Sequence, residues 1–297
     1  MGAGVEAGFA KGVDRRGMAA LSSGHLFTDV NQGAVAALLP FLIAERGLSL
    51  TAAGALFLAA TVSSSMVQPL FGHFSDGRSL PGLMPLGLLC GGVGISLVGV
   101  MPSYPLIFLC VILSGIGVAA FHPEAARFAN YVSGSRRATG MSFFSVGGNA
   151  GFALGPVLAT PLVLVFGLPG TLLLVVPAAL MAAVLFWEMP RLLGFRPSEF
   201  REPDAGTAPE PAGGSPEAWG PFVRMVLVVT LRSFIYFGLL LFVAQYYAEE
   251  FGASLALGNT ALTVMLFAGA GGTLLAGPLA DRLGRRTVLA GSMLVLG

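Results

Sequence analysis

The chain reads as an all-α membrane protein built from two homologous helical bundles, with about 8 to 9 membrane-spanning helices present. Three observations predict this. Of 297 residues, 55% are hydrophobic, only 10% are charged and 42 are Gly, and the mean hydropathy is +0.82; soluble globular domains do not show this balance. Charge is also confined, because residues 47–75, 79–123, 138–187 and 251–280 hold no Asp, Glu, Lys or Arg. Each such stretch is long enough for one or two spans of about 20 residues. Finally, a motif occurs twice, as Gly72-His-Phe-Ser-Asp76-Gly-Arg78 and as Gly277-Pro-Leu-Ala-Asp281-Arg282-Leu-Gly284-Arg285-Arg286, and both its Gly and its Asp recur at an offset of 205 residues.

In chain order, residues 1–18 form a cytoplasmic N-terminal segment carrying Lys11, Arg15 and Arg16. The apolar run after it continues past His25 and Asp29 with no small-residue cleavage site, which makes it a retained first helix and not a signal peptide. Spans are expected at 19–43, 51–71, 82–101, 105–128, 138–165 and 168–187, which gives a six-helix bundle over 19–188. Residues 189–220 hold Pro190, Pro197, Pro203, Pro209, Pro211 and Pro216 among charged residues and Gly, the composition of a solvated linker loop. Residues 221–297 form a partial second bundle, with spans at 222–248 and 256–276 and a ninth starting near Thr287. The 205-residue offset carries the first two helices onto the seventh and eighth, and it carries the third past Gly297. The sequence therefore reads as cut within its ninth helix, and transport by these residues alone is not expected. Cys90 and Cys110 both lie in apolar segments, where thiols act as small hydrophobes and neither pair nor bind metal.

Short cytoplasmic loops are enriched in Lys and Arg. Arg78, Arg136 with Arg137, Arg191 with Arg196 and Arg201, and Arg282 with Arg285 and Arg286 fall in alternate loops, on the side of the amino terminus. That side is expected to be the cytoplasm of a bacterial inner membrane, with the central loop also inside.

The repeated loop after the second and eighth helices resembles the signature of the major facilitator superfamily. The second copy fits closely, whereas the first has Gly77 where an Arg is usual and Leu80 where a Gly is usual. Physically, Gly72 and Gly277 let helices approach, while Asp76 and Asp281 sit at the start of the next helix, where N–H groups favour a carboxylate. Arg78, Arg282, Arg285 and Arg286, with Gly284, complete a gating latch on the cytoplasmic side, with an Arg of the same loop as its cation. A narrower resemblance runs through Gly24-His25-Leu-Phe-Thr-Asp29, Gln68-Pro69, Phe121-His122-Pro123-Glu124, Val146-Gly-Gly-Asn149-Ala-Gly151 and Leu231-Arg232-Ser-Phe-Ile-Tyr236, which is similar to the fosmidomycin-resistance group of drug exporters. It implies a major facilitator fold of two six-helix bundles and export driven by proton influx. Gly151-Phe-Ala-Leu-Gly155-Pro156 resembles the facilitator motif associated with antiporters; its physical content is a flat packing surface followed by a bend point.

Ionisable residues inside spans cost several kcal/mol unless they face a cavity or a partner. His25 and Asp29 share one face of the first helix, either as a proton carrier or as a neutral pair fixing helix packing. Glu124 and Arg127 form a second proton site with its counter-ion or an interfacial salt bridge, with His122 and Pro123 loosening the helix just before them. Arg232 has no acidic neighbour in sequence, so it needs Asp29, Glu124 or an anionic substrate group. Gln68, Asn149, Tyr236 and Gln245 are expected to line the same cavity, or else to make helix–helix hydrogen bonds.

The expectation is proton-coupled efflux of small drugs or toxic metabolites, including fosmidomycin-like anionic compounds, by alternating access. The alternative is a proton-coupled importer of a small metabolite on the same fold. The expected partners are a small molecule, protons and the bilayer, and the protein is expected to be a monomer. An intramembrane enzyme is a remote alternative, since no HExxH, nucleophile elbow or phosphate loop is present. No metal, cofactor or nucleic acid is expected.

Overall fold

The computed structural model describes residues 12–76, 79–196, 219–252 and 255–296. They fold into ten α-helices and one 3-10 helix: α1 (Arg15–Arg46), α2 (Leu50–Met66), α3 (Gln68–Asp76), α4 (Leu83–Leu97), α5 (Tyr104–Val132), α6 (Arg137–Phe166), the 3-10 helix Leu168–Leu174, α7 (Val175–Leu193), α8 (Trp219–Phe251), α9 (Leu255–Leu283) and α10 (Arg285–Leu296). Among the described residues, Thr51–Ser75, Tyr104–Val132, Arg137–Phe166 and Leu168–Leu193 are long and apolar enough to cross a bilayer. With 32 residues, α1 also has the length, about 48 Å at 1.5 Å per residue.

Element boundaries depart from the sequence expectation for local reasons. The first helix begins at Arg15 because Asp14 caps it, accepting the Gly17 N–H at 2.7 Å. It ends at Gly47, whose φ of 64° suits a residue without a Cβ. The second span is not one continuous helix but α2 and α3, parted at Val67; Pro69 has no N–H to give and its ring crowds the carbonyl four residues back. The third is shorter than 82–101, ending as α4 at Leu97. The sixth opens as a 3-10 helix, with Gly167 at φ 67° before it. Pro123, expected to loosen its helix, lies inside an uninterrupted α5, and Pro156 inside an uninterrupted α6.

The chain divides into two compact units, Met1–Phe200 with Thr273–Gly297, and Arg201–Gly272. In the first, α1 packs most extensively on α6, and α4 on α5. Glycine makes the α1–α6 contact possible. A Cβ on Gly147, Gly151 or Gly155 would clash with the backbone of Ser22, Leu26 or Gly33, respectively. The buried apolar side chains form two clusters. One is built around Leu21, Leu88, Phe121, Phe128 and Leu185, the other around Leu38, Leu56, Ile95, Ile107 and Val163. On α1 the first cluster takes Leu21 and the second begins at Ala34. Between them, α1 also buries three polar side chains, those of His25, Thr28 and Asn31. The second unit contributes α8 and most of α9, both long helices.

Candidate functional site

Between the two apolar clusters, α1 and α5 bring three ionisable side chains together. His25 and Asp29 occupy the eleventh and fifteenth positions of α1, about 15 and 21 Å along its axis. His25 Nε2 is 3.3 Å from Asp29 Oδ2, and His122 Nε2 is 3.3 Å from Asp29 Oδ1. The two Nε2 atoms are 3.1 Å apart. Each imidazole is oriented from behind, since His25 Nδ1 is 2.8 Å from the Phe144 carbonyl and His122 Nδ1 is 2.7 Å from that of Val118. A carbonyl only accepts, so both Nδ1 atoms carry protons and donate. In the neutral rings both Nε2 lone pairs then point at each other and at a carboxylate. Such a set repels unless at least one proton, or another cation, sits among the three groups.

Packing fixes this arrangement. The His25 ring stacks on Phe144 at 4.2 Å between centroids. Behind the pair is Gly148, where a Cβ would lie 2.5 Å from His25 Nε2 and 2.7 Å from Asp29 Oδ2. Asp29 Oδ1 is buried and makes no hydrogen bond among the described residues. His25 with Asp29 was legible as an i, i+4 pair. The sequence grouped His122 with Glu124, and it gave no reason to place Phe144 or Gly148 at the site. Their signal was the shared α6 face, because Phe144, Gly148, Gly151 and Gly155 recur every three or four residues.

Glu124 lies elsewhere. Its side chain is fully buried and already engaged, accepting from the Leu80 N–H at 2.6 Å, the Ser79 hydroxyl at 2.9 Å and Arg127 at 3.0 Å. Arg127 also donates to the carbonyl of Ser75. The pair thus ties α5 to the chain on both sides of the first gating loop. Asp29 and Glu124, offered as partners for Arg232, have these other partners; Arg232 is exposed on α8. Gln68 is half-buried at the start of α3, and Asn149 is exposed on α6. Tyr236 and Gln245 fall within α8, but their side chains lie outside the described residues, as does that of Asp76, while Arg78 is wholly outside them.

The second gating motif departs from expectation. Asp281 is not at the start of the next helix but in the last turn of α9, beyond the expected span, and its main partners are not arginines. Its carboxylate accepts from the Ala138 N–H at 3.1 Å, the Thr139 N–H at 2.8 Å and the Thr139 hydroxyl at 2.6 Å. The first turn of α6 has unpaired N–H groups, and Arg136 before it offers no side-chain cap. Asp281 supplies the cap from another helix. Desolvation pushes its pKa up, but the Thr139 and Ala138 hydrogen bonds, with Arg285 nearby, outweigh this and hold it below the ordinary 3.8. Gly277 permits the approach, since a Cβ there would clash with Ser142; at Gly72 there is nothing within 4 Å. Gly284, at φ 88°, separates α9 from α10, and Arg282, Arg285 and Arg286 are exposed.

A helical bundle with a buried polar cluster between two apolar layers, and a glycine–aspartate motif at its rim, narrows the family. The sequence profile described as Major Facilitator Superfamily matches residues 21–297. The chain belongs to the major facilitator superfamily. It is a multi-pass membrane transporter of that family and shares its fold. The fosmidomycin resistance protein of Escherichia coli (strain K12) is 31% identical over 284 residues, covering 93% of this chain and 68% of that protein. An uncharacterized facilitator-type transporter, YfnC of Bacillus subtilis (strain 168), is 29% identical over 276 residues, covering 91% of this chain and 66% of its own. Among solved structures, the proton:xylose symporter XylE bound to 6-bromo-6-deoxy-D-glucose superposes with a TM-score of 0.59 at 14% identity, over 90% of this facilitator and 69% of that chain. The last likeness concerns the fold alone.

Proposed function

We propose that this facilitator exports small drugs or toxic metabolites, including fosmidomycin-like anionic compounds, from the cytoplasm across a bacterial inner membrane in exchange for protons. The observation that carries this reading is the Asp29 carboxylate lying 3.3 Å from each of two histidine Nε2 atoms whose Nδ1 protons are committed elsewhere. Such a set holds one proton well and releases it when the helices that frame it shift. Asp29 is the carrier, and His25 and His122 share and position its proton. Similarity to a fosmidomycin resistance protein supports both the substrate class and the outward direction. The arginine-rich loops support a cytoplasmic amino terminus. Glu124 and Arg127 hold the first gating loop, Arg232 is the group proposed to meet an anionic substrate, and Gln68, Asn149, Tyr236 and Gln245 are proposed as further substrate-contacting groups. Monomeric function as two bundles, the first spanning 19–188 and the second beginning at 221, belongs to the same proposal.

The test is luminal pH in acid-loaded, inside-out vesicles holding the full-length protein. Adding a phosphonate drug should make the lumen more alkaline, and Asp29→Asn should abolish that response. If the Asp29→Asn protein still accumulated drug against a gradient, the carrier assignment would fail. Substrate moving with protons, and not against them, would replace export by import.

A further inference from the structure

We propose that His25, Asp29 and His122 also form a binding site for a late first-row divalent cation, Zn²⁺ above all, which locks α1 to α5 when filled. The donor set is right for this ion, with two imidazole nitrogens and one carboxylate oxygen. The spacing is right too. Ligands about 2.0–2.1 Å from a tetrahedral Zn²⁺ lie about 3.3 Å from one another. Here the two Nε2 atoms are 3.1 Å apart and each lies 3.3 Å from one Asp29 oxygen, Oδ2 for His25 and Oδ1 for His122; one donor atom from each residue can be chosen with all three within 4.8 Å of one another, so a small turn of the carboxylate brings the three onto one face of the tetrahedron. The cation would sit slightly off the plane of the donors, with a fourth position left for water or an anion.

The surroundings favour a metal beyond the three donors. Both imidazoles donate Nδ1–H to a backbone carbonyl, Phe144 and Val118, which fixes the tautomer with a bare Nε2 and is the outer-shell arrangement that metal-ligating histidines use. Asp29 Oδ1 is buried with no hydrogen bond of its own among the described residues, so a ligating position is open on it. The Asp29 and His122 side chains keep 14% and 19% of their surface, enough for an entry path. Gly148 packs its backbone directly against His25 and Asp29, and a methyl group there would collide with two of the donors. Because His25 and Asp29 are on α1 and His122 is on α5, a bound ion bridges two helices.

Binding of the ion stands apart from the transport reading, whereas its inhibition of transport rests on that reading. The chain has three histidines, and the third, His73, is exposed on α3, which makes a clean control. Full-length protein purified without a polyhistidine tag is titrated with Zn²⁺ against a chromophoric chelator. One equivalent should bind to wild type and to His73→Gln. His25→Gln, His122→Gln and Asp29→Asn should each weaken binding at least about tenfold, as loss of metal-site groups commonly does, and Gly148→Ala should weaken it too. In case a variant fails to fold, Co²⁺ added to the His73→Gln protein should give the intense visible absorption of a tetrahedral site. Zn²⁺ binding that survives the His25 and His122 substitutions, or a weak octahedral Co²⁺ spectrum, would overturn the site. Zn²⁺ in the vesicle assay should stop drug-driven proton movement, with recovery on adding EDTA. Binding without any drug-driven flux would retire the export reading and leave the metal site standing; normal flux without binding would do the reverse.

Discussion

Two carboxylates inside one bundle have opposite surroundings. Asp29 faces two histidines whose protons are committed behind them, and one of its oxygens has no hydrogen bond among the described residues. Glu124 is saturated by a backbone N–H, a hydroxyl and a guanidinium, so gaining a proton would cost it these partners. Glu124→Gln should therefore keep drug-driven proton flux, while Asp29→Asn loses it, in the same vesicle assay. Glu124→Ala should lower the melting temperature of purified protein markedly, since removing one member of a buried pair costs about 3–5 kcal/mol; an unchanged melt would mean the loop is held by other contacts. The i, i+4 spacing made His25 with Asp29 legible from sequence. His122 is 93 positions further on, and nothing local in a sequence reports which helix faces which. Glu124 was read with its sequence neighbours His122 and Arg127, because Ser79 and Leu80 reach it only through the fold.

Hydrophobic runs located the helices well, and proline and glycine decided the interruptions that hydropathy overlooks. The break at Val67 is one such case, and the 3-10 start after Gly167 is another. Helix contacts are more demanding, because α1 and α6 meet backbone to backbone at Gly147, Gly151 and Gly155. The small-x-x-x-small spacing announced such a surface but not its partner. Gly151→Val should destabilise the bundle by about 1–3 kcal/mol or more through overpacking, visible as aggregation on heating followed by size-exclusion chromatography. Gly72→Ala, with nothing within 4 Å of the added methyl, should leave the same profile unchanged. Cross-helix capping of α6 by Asp281 was hidden for a similar reason, since the motif gives the carboxylate and not the N-terminus that it serves.

Long-range organisation rests on few polar ties at the rim. Arg16 with Glu188 and Arg191 with Asp14 join α1 to α7, each through an exposed arginine, and ion pairs open to solvent contribute about 0–1 kcal/mol. The Asp281 cap does more, because it engages three donors at once. Removing a cap costs about 0.5–2 kcal/mol, so Asp281→Ala should speed hydrogen exchange at Ala138 and Thr139 several-fold. With its pKa held below 3.8, the cap is fully formed above that value and is lost only as pH falls through the still lower bound-state value. Exchange at these two amides should thus be the same at pH 5 and pH 8 after correction for intrinsic rates, and a rise by pH 5 would refute the cap. The repeat of the motif was plain in the sequence. The glycine-lined seam between α1 and α6 has a genetic consequence as well. The atom that a new side chain at Gly151 would strike is the carbonyl oxygen of Leu26, and every amino acid carries one. No allele at position 26 can make room, so a suppressor screen on Gly151→Ala should return true revertants and distant compensations, never a matched substitution on the facing helix.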